Sequence, residues 1–550
     1  MSRTRRTALA ALALAATTAL LAGCSGGANT AAKPAGDPVT GGTLTYLEPQ
    51  TWNTLYPPAA GFYPNGGVVN NITDRLLYQN PETLELEPWI ATELPEVNAD
   101  ATEYTFTLRD DVTYSDGTPL TAENVVKNLD LFGAGDPDRA LTVSEAINNY
   151  DRGEVIDENT VKFHFSAPSP GFGQAVSTIN SGLVSDATLD LTSEGFGPGN
   201  ATKIVGSGPF VIADEKIGTQ IDLEARDDYD WAPPSVEHQG RPFLDGINFV
   251  VASENSVRVG TVVSKQADIA RQIEAPDEPQ FAADGLSIVA ASTNGVNNGL
   301  SFRFRHPLLN DIKVRQAIIA GIDREAIVST LFTDSYPLAT GALAKSALGY
   351  TDSSEFYKYD PKQAAKLLDE AGWKAGSDGI LEKDGKRFTI TFNEALPQPR
   401  SEEVVTLIQS QLAELGIEVK LFGGDQAAQD AARLELDTIQ VYHSMVGRAD
   451  FDVLKSQYHS ANRNTLLNLD PADGTVGDPE LDTLLSDIAS KPTTDERAEA
   501  SAAAQQRLAE EAYILPIFEE PQVFGLTDAV QGFHTESVGR PAFYSTWVNR

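Results

Sequence analysis

YTFTLRDDVTYSDGTPLTAENVV, Tyr104 to Val126, carries three structural signals in a row. From Tyr104 to Tyr114 apolar and polar residues alternate, as in a strand with one buried face. The following SDGTPL has turn chemistry. TAENVVKNLDLF then opens a helix, with Thr121 at the N-cap and Glu123 in the first turn, where the helix dipole favours an acid.

The same strand–turn–helix grammar recurs on both sides. Upstream, GGTLTYL starts a strand after a glycine pair at Gly41–Gly42. Downstream, Asp311–Gly321 reads as a helix, and a second begins at Asp323. DPKQAAKLLDEAG is capped by Asp360, has Pro361 at the first helical position and stops at Gly372. ILEKDGKRFTITF reads as a hairpin turning at Asp384-Gly385. SEEVVTLIQSQLAELG puts Val404, Ile408, Leu412 and Leu415 on one face, and IEVKLF follows as a strand. Leu436–Tyr442 is a further strand, with Ser444–Asp450 as the loop after it. The alternation of strands and helices predicts an α/β architecture. Proline and glycine clusters at 167–173, 196–209, 232–242 and 470–479 mark seams between units, and no solenoid-type repeat is present.

At 550 residues the chain is too long for a single core. With 41% hydrophobic and 22% charged residues it has the composition of a folded protein. Its formal net charge of −37 argues against nucleic-acid and anionic-lipid partners. One cysteine excludes an internal disulfide and a cysteine-based zinc cluster. The six histidines include no H-x-x-x-H pair, so no dedicated metal site and no cofactor is expected. No G-x-S-x-G elbow or H-E-x-x-H helix is present, and GSGPF at Gly206 lacks the rest of a phosphate loop. An enzyme is therefore not expected, and a secreted hydrolase is the enzymatic alternative.

The single cysteine is Cys24. It ends MSRTRRTALAALALAATTALLAGC, a basic start followed by an apolar run too short to span a bilayer. Residues 1–23 are read as a signal peptide. Leu21–Cys24 resembles the bacterial lipobox, which implies lipidation of Cys24. Residues 24–40 are then the lipidated cysteine and a flexible Ser/Gly/Ala tether. This places the body at the outer face of the bacterial cytoplasmic membrane, anchored by lipid alone.

Tyr104–Val126 resembles the signature segment of the extracytoplasmic solute-binding proteins of ABC importers, family 5, the peptide- and nickel-binding type. Further blocks resemble the family in the same order: Ile72–Val97, Val205–Ile212, Pro307–Val328, Tyr359–Trp373 and Ile408–Leu421. The resemblance implies a two-lobed periplasmic-binding-protein-like fold of type II with an extra domain, a ligand cleft between the lobes and closure by a hinge. By block position, lobe one is 41–80, 203–295 and 520–550, the extra domain 81–202, and lobe two 296–519. The implied function is capture of a small solute, first a short peptide, and its delivery by a monomer to an ABC permease and ATPase complex. A metal chelate or another small organic solute, or a peptide or pheromone receptor role, are the alternatives.

The resemblance also suggests site residues. Peptide-binding members hold the peptide ammonium with an Asp in an Ala-Asp-aromatic pattern, which falls on Asp450. They carry a Trp three residues earlier, where this chain has Gly447. Arg448 either neutralises Asp450 or meets an anionic group of the ligand. From the residues themselves, the aromatic loop Pro49–Gly67 offers Trp52 and Tyr56 as contacts, beside Phe62 and Tyr63. Asn297 and Asn298, in NGVNNGLSFRF, offer amides where the chain crosses between lobes. His443 lies beside the expected cleft loop.

Overall fold

The computed structural model describes residues 36–462, 466–467 and 477–550. The signal-peptide reading of 1–23, Cys24 and most of the tether lie outside these residues.

Two sheets organise the chain. The first has seven strands in the order Leu286–Ala291, Gln522–Thr527, Ile269–Arg271, Thr43–Glu48, Gly246–Val251, Gln220–Ala225 and Phe210–Lys216. Thr43–Glu48 runs parallel to both of its neighbours, and the outer pairs are antiparallel. The second has five strands, in the order Glu418–Phe422, Thr389–Asn393, Val441–Val446, Val296–Phe302 and Ile514–Phe518. Helices Ile312–Gly321, Pro361–Glu370 and Ser401–Ala413 cover this sheet through Ile318, Leu368, Val404, Ile408 and Leu412, which join Phe302, Ile390 and Phe392 in one core.

A separate four-stranded antiparallel sheet is formed by Glu96–Val97, Glu103–Thr107, Thr160–Phe165 and Tyr150–Asp157. Here the opening motif does what its pattern predicts. Tyr104 and Phe106 are buried, and the Thr121 hydroxyl accepts from the Asn124 amide at 3.2 Å to start helix Ala122–Ala134. GSGPF is structural. A Cβ at Gly206 would lie 1.9 Å from the Ile72 carbonyl oxygen and one at Gly208 2.4 Å from the Ile72 carbonyl carbon, so the glycines permit a close backbone passage.

The chain passes between the two large sheets twice, from Ala291 to Val296 and from Phe518 to Gln522. These crossings are tied together, because the Thr293 hydroxyl donates to the Glu520 carbonyl at 3.0 Å.

One element boundary differs from the sequence reading. The strand expected at Leu436–Tyr442 is Val441–Val446. The Gln440 side chain causes the shift: its amide donates to the carbonyls of Leu436 and Asp437, and its oxygen accepts from the Thr391 amide at 2.8 Å. These bonds hold 436–440 in a turn, so His443 and Ser444 fall within the strand.

Candidate ligand-binding cleft

Between the sheets lies a cavity of about 190 Å³. Its first wall comes from lobe one: Gln50, Phe62 and Tyr63 near the start of the chain, and Arg271, Gln272 and Gln522 at strand ends. Its second wall comes from lobe two: Tyr336, Pro397, Gln398, Pro399 and Met445. Glu520 stands at the crossing between them. A second cavity of about 190 Å³ continues into lobe two and shares Gln398 and Met445 with the first. Aromatic rings with scattered amide groups are the usual lining of a small-solute site.

The lobe-one wall is cross-linked by hydrogen bonds. Arg271 donates through Nε to Glu48 at 2.9 Å, through Nη2 to the same carboxylate, and through Nη1 to Gln522 at 2.8 Å. Its guanidinium also lies 5.3 Å from the Tyr63 ring. Tyr63 in turn donates to the Val538 carbonyl at 2.8 Å. Every strong donor of Arg271 is thus used by the protein, and the residue positions the wall.

Lobe two touches both lobe one and the extra domain beside the cleft. Gln79 of lobe one donates to the Ala449 carbonyl at 2.9 Å, and Arg497 donates to Gln174, within 81–202, at 3.2 Å. Gly447 fits under lobe one, where a Cβ would lie 2.9 Å from Val538 Cγ1 and 3.0 Å from the Tyr63 hydroxyl. Tyr63 and Val538 therefore take the room that a tryptophan at 447 would need.

Asp450 and Arg448 lie beside this contact and bind each other. Arg448 Nε and Nη2 donate to the two Asp450 oxygens at 2.8 and 2.9 Å, a bidentate pair with both side chains largely buried. Of the two roles open to Arg448, the geometry displays the neutralising one. Next to it, Asp452 pairs with Arg497 at 2.5 Å.

Asn298 and His443 are joined in a buried chain. Asn298 Nδ2 donates to Glu520 Oε2 at 2.8 Å, and Asn298 Oδ1 faces His443 Nε2 at 2.6 Å. His443 Nδ1 lies 2.9 Å from the Ser401 hydroxyl. Since the Asn298 amide nitrogen already serves Glu520, Nε2 carries the imidazole proton and Nδ1 accepts from Ser401. Burial holds the imidazole neutral, with its pKa lowered to about 4. Burial pushes the Glu520 carboxyl the other way, up to about 7.

Three expected contacts sit elsewhere. Trp52 is core, beside Pro64, Val68 and Phe249 around a small separate cavity. Tyr56 turns toward the extra domain: its ring packs on Phe132 and Phe196, and its hydroxyl donates to the Thr142 carbonyl at 3.2 Å. The aromatic loop does line the cleft, but through Phe62 and Tyr63, at the end that leads into helix Tyr63–Ile72. Asn297 donates to the carbonyls of Gly341 and Leu343 at 2.9 and 2.8 Å and braces the strand. Glu520 escaped the sequence reading, although FEEPQ shows its signal: acids after an apolar strand, with a proline where the chain leaves the sheet.

Known proteins share this fold. The oligopeptide-binding protein AppA of Bacillus subtilis (strain 168) is 28% identical over 447 residues, which is 76% of each chain. The structure of AppA in complex with a nonapeptide superposes with a TM-score of 0.76 at 20% identity, covering 94% of this chain and 100% of that one. NikA from Brucella suis in complex with Fe(III)-EDTA superposes with a TM-score of 0.78 at 22% identity, covering 92% and 100%. The family model for bacterial extracellular solute-binding proteins, family 5, matches residues 85–465, which include the four-stranded sheet, part of each large sheet and the first crossing. The chain belongs to that family of extracellular solute-binding proteins.

Proposed function

We propose that the chain is the substrate-binding component of an ABC importer that captures a short peptide between its lobes. The observation that carries this reading is the paired cavity at the crossing. The amides of Gln50, Gln272, Gln398 and Gln522 line it, Gln522 with its oxygen already accepting from Arg271, while Phe62, Tyr63, Tyr336 and Met445 offer contact area to side chains. Closure of the lobes then buries the solute and creates the surface a permease reads. AppA binds oligopeptides, which supports the same class here. Delivery to a permease and ATPase complex by a monomer, and an anchor at Cys24, complete the proposal. No hydrolytic step is needed for it.

A pool of random tetrapeptides should raise the melting temperature in proportion to the logarithm of its concentration above Kd. Fe(III)-EDTA and sugars should leave it unchanged. A shift with the chelate alone would move the assignment to the kind of ligand seen in NikA. Arg448 spends Nε and Nη2 on Asp450, which leaves Nη1 as its one nitrogen open to an anionic chelate. Replacing Cys24 with alanine should release the protein from membranes, and unchanged lipid labelling would remove the anchor.

A further inference from the structure

We infer that Glu520, on the crossing between the lobes, is the counter-ion for an ammonium group of the solute. This rests on the solute-capture reading above and names the chemistry at one end of that site.

Three observations carry it. First, the carboxylate lines the interlobe cavity while only 7% of the residue is exposed. Second, its side chain accepts from one neutral partner, the Asn298 amide, and none of the ion pairs found among the described residues includes it. A buried carboxylate without a cation is costly, and an incoming ammonium removes that cost. Third, the neighbouring charges are committed elsewhere. Arg271 is held by Glu48 and Gln522, and Arg400 lies 3.6 Å from Glu403. His443, reached through Asn298, is neutral, and burial keeps the phenols of Tyr63 and Tyr336 protonated. Glu519 turns away, to the Lys345 amide. Asp450 already spends both oxygens on Arg448.

The arrangement gives selectivity as well as binding. An ammonium donates to Glu520 where Asn298 already orients the carboxylate. An acylated amine brings no charge and leaves the carboxylate uncompensated, so it binds more weakly.

The test is calorimetry and thermal shift at pH 8, with random tetrapeptides that are free or N-acetylated. Linear primary amines from propylamine to hexylamine, with the matching alcohols, form a second probe set. The wild type should prefer free over acetylated peptides by at least about tenfold. Glu520→Gln, which keeps the Asn298 bond and should melt cooperatively, should reduce that preference to within about twofold. Glu520→Asp should retain part of it. If Glu520→Gln keeps the full preference, or Asp450→Asn alone removes it, the assignment is wrong while peptide capture stands. If no peptide binds but amines stabilise the wild type and not Glu520→Gln, the ammonium site stands and peptide capture falls. If neither peptides nor amines stabilise the wild type, the assignment falls too.

Discussion

Asp450 and Glu520 are both buried acids beside one cleft, 9% and 7% exposed. Asp450 sits on lobe two in a bidentate pair with Arg448, and Glu520 sits on the crossing with one neutral amide for company. Burial is equal, but compensation is not. A carboxylate whose charge is already matched within the protein holds structure, and one whose charge is unmatched is poised to receive a cation. The residue that best fits a family's sequence pattern need not be the one whose chemistry is free.

The largest effect should come from breaking the matched pair. Asp450→Ala strands the Arg448 guanidinium and should cost about 3–5 kcal/mol in urea unfolding. The double replacement Arg448→Met/Asp450→Leu should recover most of that loss. A small loss in the single variant would show that the pair is solvated and Asp450 available.

Next comes the unmatched acid. Its carboxyl is raised from 4.5 to about 7 in the folded chain, so between those values the folded state holds the extra proton. Stability contributed by Glu520 is therefore present below pH 4.5 and falls as pH rises through about 7. Wild type should lose on the order of 2–3 kcal/mol more than Glu520→Gln between pH 4.5 and pH 8. The difference between the two proteins matters, because burial also lifts Asp74 to about 7. Parallel pH profiles would mean that Glu520 is already compensated.

Gly447→Trp tests the contact between the lobes. The side chain must displace Tyr63 and Val538, which should cost about 1–3 kcal/mol and enlarge the radius of gyration in solution scattering. An unchanged radius would place the tryptophan elsewhere. The smallest effect separates two tyrosines. Tyr56→Phe loses one bond to Thr142, about 0.5–1.5 kcal/mol, and should leave peptide binding unaltered. Tyr63→Phe removes the bond to Val538 at the cleft wall and should weaken binding.

Much of the fold was legible because its signals are local. Thr121, Asp360 and Asp323 cap the helices their patterns announce. The strand before Asp450 was misplaced because a side chain, Gln440, overrode the apolar run by bonding three backbone groups. The site was legible by region and not by residue. Loop aromatics were expected at the cleft, but whether a ring faces solute or core depends on where the chain bends, and Tyr56 meets Phe132 from 76 residues away. Glu520 depends on the same long-range placement, since its exposure to the cavity and the absence of a cationic partner among the described residues come from segments brought together only by folding.

The most direct measurement is a crystal structure of the chain grown with the random tetrapeptide pool. Peptide density should lie between Phe62–Tyr63 and Met445, with the terminal ammonium within hydrogen-bond distance of Glu520 and the Arg448–Asp450 pair intact. An ammonium bound to Asp450 with Arg448 swung aside, or density outside the interlobe cavity, would contradict it.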